Sequence, residues 1–286
     1  MNKIKVLISG DSISWRRNTT VKYPKAYVSN PVLTPRHDSQ IDNVEWEWKI
    51  DYEDASFIDG FKYPIKGDAP RGGYIHSVVD MFNIISVKNI QKEISDTVFG
   101  VKIINIGEHH SRNLVDCIDL YEKADPDIIH INTGLHDLQY INGKYRVPIN
   151  EYRENMTELL NSLDDIADDV ICATSTPIYD DLQDHKGFER KRFNKDVIDY
   201  NNVLREIGPV HDIYKHVMQN DMSAHLYGDG VHLSRFGEVS IGYKIVTEIL
   251  KYVDGYDGTS ELVMDSRLEF LKNRNRRWND KLMGLI

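Results

Sequence analysis

The sequence is poor in cysteine, in net positive charge and in long apolar runs, and each shortage narrows what it encodes. Its 286 residues include only two cysteines, Cys117 and Cys172, too few for a disulfide framework. Each lies among apolar neighbours (Val115, Val170, Ile171) and reads as a small buried thiol. Lys and Arg number 35 against 45 Asp and Glu, a formal net charge of −10. A surface that acidic repels phosphate backbones, so nucleic acid is not an expected partner. Near the start, Ile4-Lys5-Val6-Leu7-Ile8 is interrupted by a lysine and falls short of the roughly 7–15-residue apolar core of a signal peptide. No run approaches the ~20 residues of a membrane span. The expectation is a cytoplasmic protein with no membrane partner. Neither Gly-x-x-x-x-Gly-Lys nor Gly-x-Gly-x-x-Gly occurs, so a nucleotide cofactor has no cradle. Histidine is not scarce, but His109-His110 and His130/His136 lack the cysteines or the His-Glu-x-x-His spacing of a zinc site. No metal and no cofactor is expected.

What is present is the balance of a globular chain, 41% apolar and 28% charged, long enough to bury a large core without metal or disulfide staples. Short β-branched runs at Ile4 to Ser9, Val101 to Ile106, Asp127 to Asn132 and Val170 to Thr174 read as buried parallel strands. The first three end in polar turns that contain glycine. Between the runs, Phe193, Val197, Tyr200, Leu204 and Ile207 recur at helical spacing, as do Phe236, Val239, Tyr243, Val246 and Leu250. Strands alternating with helices imply a parallel sheet covered on both faces, with ligands at the carboxyl ends of the strands. Residues 16–72 break this alternation. There Val44, Trp46, Trp48, Ile50 and Tyr52 alternate with Glu45, Glu47, Lys49 and Asp51, the period of a strand with one wet face. The stretch reads as an inserted β-containing excursion within an α/β domain over 1–255. The remainder, 256–286, reads as a helical extension with Leu268, Leu271, Trp278, Leu282 and Leu285 on one stripe. That stripe either packs on its own domain or joins two copies as a homodimer.

Two segments carry chemistry. Gly10-Asp11-Ser12 closes the first strand. A serine becomes a nucleophile only when a base takes its proton and donors hold the resulting oxyanion, and a turn at a strand end directs backbone N–H groups outward. Gly10 permits the tight turn, and Asp11 is placed to brace it. Far along the chain, Asp229-Gly230-Val231-His232 precedes Leu233-Ser234 and a predicted helix, with Ser234 placed to cap it. His232 there suits a general base, and Asp229 is positioned to hold its second ring nitrogen. Read alone, the same residues also suit a shaped loop with a solvated histidine.

Together, Ile8-Ser9-Gly10-Asp11-Ser12-Ile13 and Asp229-Gly230-Val231-His232-Leu233 resemble the opening and closing blocks of the SGNH (GDSL-type) serine hydrolases. The resemblance spans 4–12 and 75–253, with Thr176-Pro177 and Tyr200-Asn201 where that family has comparable elements. It implies a three-layer α/β/α fold with a flavodoxin-like parallel sheet. It also implies a triad of Ser12, Asp229 and His232, and an oxyanion hole formed by the Ser12 and Gly107 N–H groups. The family's third block is usually Gly-x-Asn-Asp, its asparagine supplying another donor. Here it reads Gly134-Leu135-His136-Asp137. His136 fills the asparagine's place as a neutral or charged imidazole donor, lines the substrate pocket, or shapes the loop. Substrate contacts are expected from Asp11, Trp15, Arg16, Arg17, Ser111, Arg112 and Asp137. Arg16 and Arg17 read either as a clamp for an anionic group or as a solvated turn. The implied activity is hydrolysis of a short acyl ester, favoured on a carbohydrate, through an acyl-enzyme. The alternatives are an O-acyltransferase using the same triad and a non-catalytic carbohydrate-binding relative.

Overall fold

A computed structural model of the chain describes residues 2–11, 13–14, 73–75, 77–78, 81–82, 97–104, 109–185, 191–254 and 256. The expected excursion over 16–72 and the stripe and homodimer contact expected of the tail lie outside these residues.

Among the described residues, five strands form one parallel sheet: β1 (Asn2–Ser9), β2 (Thr97–Ile104), β3 (Ile128–Asn132), β6 (Asp169–Ala173) and β7 (Val210–His211). Their order in space is β2-β1-β3-β6-β7. Counting these strands alone, the order is 2-1-3-4-5, that of a flavodoxin-like sheet, and the chain reverses direction between β1 and β3. In sheets of this order ligands bind at the carboxyl ends of those two strands. Val6, Leu7 and Ile8 are consecutive and all fully buried, as a strand covered on both faces requires. β3 is buried from end to end. The strand expected from Val101 starts four residues earlier, at Thr97. β7 has only two residues, too few to show a pattern in the sequence. Asn142 and Gly143, both at positive φ, close a small antiparallel ribbon of β4 (Tyr140–Ile141) and β5 (Lys144–Tyr145).

Helices α1 (Ser111–Val115), α2 (Ile118–Ala124), α3 (Ile149–Asp164), α4 (Asp180–His185), α5 (Asn194–Ile207), α6 (Ile213–Gln219), α7 (Met222–His225) and α8 (Arg235–Leu250) complete a three-layer α/β/α fold. α3 buries Tyr152, Met156, Leu159 and Leu163 at steps of four, three and four and packs on α1, α5 and β6. Its Tyr152 ring meets Tyr200 of α5 at a centroid distance of 4.9 Å. α5 buries Val197, Tyr200 and Leu204 as their spacing predicts. Phe193, expected in the same stripe, stands just before the first turn and is exposed. α8 is buried on more than one side, because Ile241, Ile245 and Ile249 join Phe236, Val239, Val246 and Leu250, and α6 and α7 pack against it. Cys172 is a buried thiol in β6; Cys117 is only half-buried. No helix among the described residues is long and apolar enough to cross a membrane.

Candidate active site

Three loops converge at the carboxyl ends of β1 and β3. The first follows β1. The Asp11 side chain braces it by accepting the Ile13 N–H at 2.8 Å, and the Ser14 N–H returns to the Asp11 carbonyl at 3.0 Å. Gly10 is required by packing, since a Cβ there would collide with the Ser14 side chain. The Ser14 hydroxyl in turn donates to the Tyr74 oxygen at 2.7 Å, fixing the turn on the start of the next helical segment. Asp11 is buried, and that burial raises its pKa, against the lowering effect of its backbone bond and the nearby charges of Arg192 and His232. Ser12, Trp15, Arg16, Arg17 and Gly107 lie outside the described residues.

The second loop brings Asp229 and His232 together. Gly230, at φ 77°, adopts a left-handed conformation that leaves no room for a side chain; a Cβ would sit 2.6 Å from the Tyr179 carbonyl oxygen. The turn folds back so that one oxygen of Asp229 accepts the Val231 and His232 N–H groups, at 3.0 and 2.9 Å. The other lies 2.8 Å from His232 Nδ1. Burial alone would push the Asp229 pKa up. The hydrogen bond and charge of His232, with the two backbone donors, outweigh it and bring the value down to about 2. An ionised carboxylate on Nδ1 fixes the proton there, so the neutral ring presents Nε2 as an acceptor. Ser234 caps α8 as its position predicts, its hydroxyl oxygen accepting the Gly237 N–H at 3.0 Å.

The third loop follows β3. His136 Nε2 stands 4.0 Å from an Asp11 carboxylate oxygen, so His136 and the brace of the first loop face each other. Burial drives the His136 pKa well below its ordinary value, and Arg192, His109, Arg146 and His110 push it the same way. The ring is therefore a neutral imidazole at pH 7, with one N–H to donate. The adjoining Asp137 and Ser111, both expected to touch substrate, are fully buried, and Asp137 accepts the Ser111 N–H at 2.8 Å. Burial lifts the Asp137 pKa to about 7. Their polar atoms tie the loop to the start of α1. Arg112 forms a two-pronged ion pair with Glu151 of α3 at the surface. Behind the loop, Ser175 donates to the Thr133 carbonyl at 2.8 Å, and Asn201 clasps both the N–H and the carbonyl of Ser175.

Two residues at the site carry no motif. His109 is buried among the groups that act on His136, with its own pKa lowered to about 3 by burial. Arg192 donates from Nε to the Leu135 carbonyl at 2.6 Å, and its charge acts on both Asp11 and His136. The basic run Arg190-Lys191-Arg192 is visible in the sequence, but only folding brings it to this loop. Among the described residues, no group of three or more His, Cys, Asp or Glu side chains is arranged to hold a metal ion.

Comparison with known proteins places the fold. No family model matches the chain, and no curated protein matches it by sequence. By structure it is similar to an α/β hydrolase enzyme from the metagenome of Lake Arreo, Spain, at 15% identity and a TM-score of 0.50, covering 85% of this chain and 93% of that one. It is equally similar to a GDSL-like lipase from Parabacteroides merdae, at 12% identity and a TM-score of 0.50, covering 85% and 94%. An acetylxylan esterase from Geobacillus stearothermophilus superposes at a TM-score of 0.48 and 18% identity, covering 90% and 97%. The likeness shows the fold, a three-layer α/β/α arrangement around a parallel sheet.

Proposed function

We propose that this chain is a carboxylic ester hydrolase working through Ser12, His232 and Asp229. The observation that carries the reading is the buried, ionised Asp229 held 2.8 Å from His232 Nδ1, in a loop whose histidine acts electrostatically on Asp11, the residue before Ser12. In the proposed reaction His232 Nε2 takes the proton from Ser12 Oγ as Oγ attacks the ester carbonyl. The Ser12 and Gly107 N–H groups and the neutral N–H of His136 hold the oxyanion. Collapse expels the alcohol, which receives the proton from His232. Water, deprotonated by the same imidazole, then releases the acid from Ser12. Asp229 stays ionised throughout and supports the imidazolium that forms at each step.

The favoured substrate is a short acyl ester, acetyl above all, on a carbohydrate. The support is compositional, an acidic polar chain without long apolar stretches to meet a lipid surface. Hydrolysis of 4-nitrophenyl esters of increasing chain length, alongside acetylated oligosaccharides, tests both parts. Ser12→Ala and His232→Ala should each reduce turnover by several decades, about 10⁶-fold in a well-studied serine protease, and the double variant should be no worse than either alone. Wild-type rates in Ser12→Ala contradict the mechanism. Faster hydrolysis of long-chain than of acetyl esters contradicts the substrate.

A further inference from the structure

A chain of polar groups outside the triad runs behind the loop of the general base, and each donor in it can be assigned. Asn220 Nδ2 donates to the His216 carbonyl at 2.8 Å, which fixes the orientation of its amide, and lies 3.4 Å from His216 Nδ1. His216 is neutral at pH 7, its pKa lowered to about 4 by burial. With Nδ1 facing an N–H, the single ring proton sits on Nε2 and is donated to the Ser240 oxygen at 2.9 Å. The Ser240 hydroxyl therefore directs its one hydrogen to His225 Nε2, also at 2.9 Å. His225 Nδ1 then carries the proton and donates to the Asp221 carbonyl at 2.9 Å. His225 and Ser240 are buried, where a polar group that loses its partner is costly. The chain ties α6 and α8 to both ends of the short helix α7, which Asp221 caps and His225 closes.

The end of α7 grips the turn of the base. The Tyr227 N–H donates to the His232 carbonyl at 2.7 Å and the Ser234 N–H to the His225 carbonyl at 2.8 Å, with Leu226 and Leu233 paired as an antiparallel bridge between them. The Ser234 hydroxyl donates to the Ala224 carbonyl at 2.5 Å. Gly237 packs so closely on the same end that a Cβ there would lie 2.2 Å from the His225 carbonyl oxygen. His232 thus belongs to a clasp whose other side is 225–227. That side is anchored by the His225 ring, which also meets Phe236 edge-on at a centroid distance of 4.9 Å.

We propose that His225, held by Ser240, is a positioning residue for the general base. Its ring sets the place of 225–227, that segment sets the His232 backbone, and with it the reach of Nε2 to Ser12 Oγ. The inference rests on the esterase reading above and adds a pair outside the triad on which turnover depends. A misplacement of about 1 Å in a reacting geometry can cost ~10²-fold in rate. His225 acts through the base and not on the substrate, so its loss belongs in kcat.

The test is the hydrolysis of 4-nitrophenyl acetate by His225→Ala and Ser240→Ala. Each should lower kcat about 10–100-fold and leave KM within about twofold of wild type. Labelling of Ser12 by a fluorophosphonate should slow by the same factor. The double variant should be no worse than the poorer single one, because the two residues share one bond. Ser240→Ala places the best helix former in α8, so it reads that bond even where His225→Ala fails to fold. Leu163→Ala, which opens a cavity in the core under α3, is the control: it should lower the urea midpoint and leave kcat unchanged. Unchanged kcat in Ser240→Ala, a loss expressed in KM, additive losses in the double variant, or an equal kcat loss in Leu163→Ala overturns the inference. A wild type that neither cleaves esters nor takes the fluorophosphonate contradicts the esterase reading instead. The proton on His232 Nδ1, followed by NMR, then decides the matter. Its signal should shift or vanish in Ser240→Ala and stay in place in Leu163→Ala; a signal unmoved in Ser240→Ala, or moved equally in both, ends the assignment.

Discussion

Asp229 and Asp11 show how two buried carboxyls in one site are given different tasks. Asp229 accepts three hydrogen bonds and stays ionised, with a pKa near 2, whereas burial raises that of Asp11. Asp229→Asn removes the charge that supports imidazolium and disturbs the tautomer of His232. Turnover of 4-nitrophenyl acetate should fall about 10⁴-fold, less than for loss of the nucleophile; near-normal turnover means another group orients the base. His136 offers a sharper distinction. If its N–H helps hold the oxyanion, His136→Ala loses about 10²–10³-fold in kcat with little change in KM, and His136→Asn retains most of the rate. Because the imidazole is already neutral, His136→Asn should remove no ionisation from the pH–rate profile between about pH 5 and 8. A raised KM with unchanged kcat in both variants points to pocket lining instead. These residues were singled out because each motif is local: Gly10-Asp11-Ser12 and Asp229 to His232 are contiguous, and the roles proposed for them are those the resemblance implies. Arg192 was not, since its partner Leu135 is 57 residues away and a backbone carbonyl carries no sequence signature.

At the scale of elements, the sheet and the long helices could be read from the sequence in proportion to their length. β1, β3 and β6 are strands of at least five residues built around Val and Ile, and α5 and α8 repeat their apolar positions over four turns. Strands of two residues carry no period, so β7 and the β4–β5 ribbon escaped a reading based on periodicity. The Asn142-Gly143 pair does mark the ribbon, through turn chemistry rather than apolar pattern. The breadth of α8's buried surface was also hidden, because Ile241, Ile245 and Ile249 meet α6 and α7 only once those helices have folded back. The cap of α8 is a testable joint between fold and site, since Ser234 follows His232 by two positions. Its hydroxyl accepts from Gly237 at 3.0 Å and donates to the Ala224 carbonyl at 2.5 Å. Ser234→Ala should lower unfolding free energy in urea by about 1–2 kcal/mol. An unchanged urea midpoint would show that the cap contributes nothing.

Over the whole molecule, buried histidines set the response to acid. His130 of β3 lies 3.1 Å from His211 of β7, ring nitrogen to ring nitrogen, and His216 and His225 share the Ser240 hydroxyl at 2.9 Å each. Burial lowers the pKa of His109 and His130 to about 3, of His211 to about 2 and of His216 to about 4, and places His136 well below normal. In the unfolded chain all five titrate near pH ~6.5. Below that value the unfolded state binds more protons, so stability falls as pH drops from about 6.5 towards the folded values. Asp11, Asp137, Asp169 and Asp196, with raised values, work the other way, since protonation on acidification favours the native form. Five histidines against four carboxyls leave a net loss. The urea midpoint should therefore decrease steadily from pH 7 to pH 5; a flat or rising midpoint contradicts this balance.

The central claim, that Ser12 is a nucleophile activated by the His232–Asp229 pair, is tested most directly by covalent labelling. Wild type is treated with a fluorophosphonate, digested, and its modified peptide identified by mass spectrometry. The account predicts a single adduct on Ser12, formed quickly in wild type, far more slowly in His232→Ala, and not at all in Ser12→Ala. An adduct on another serine, or labelling of Ser12 at the wild-type rate in His232→Ala, would contradict it.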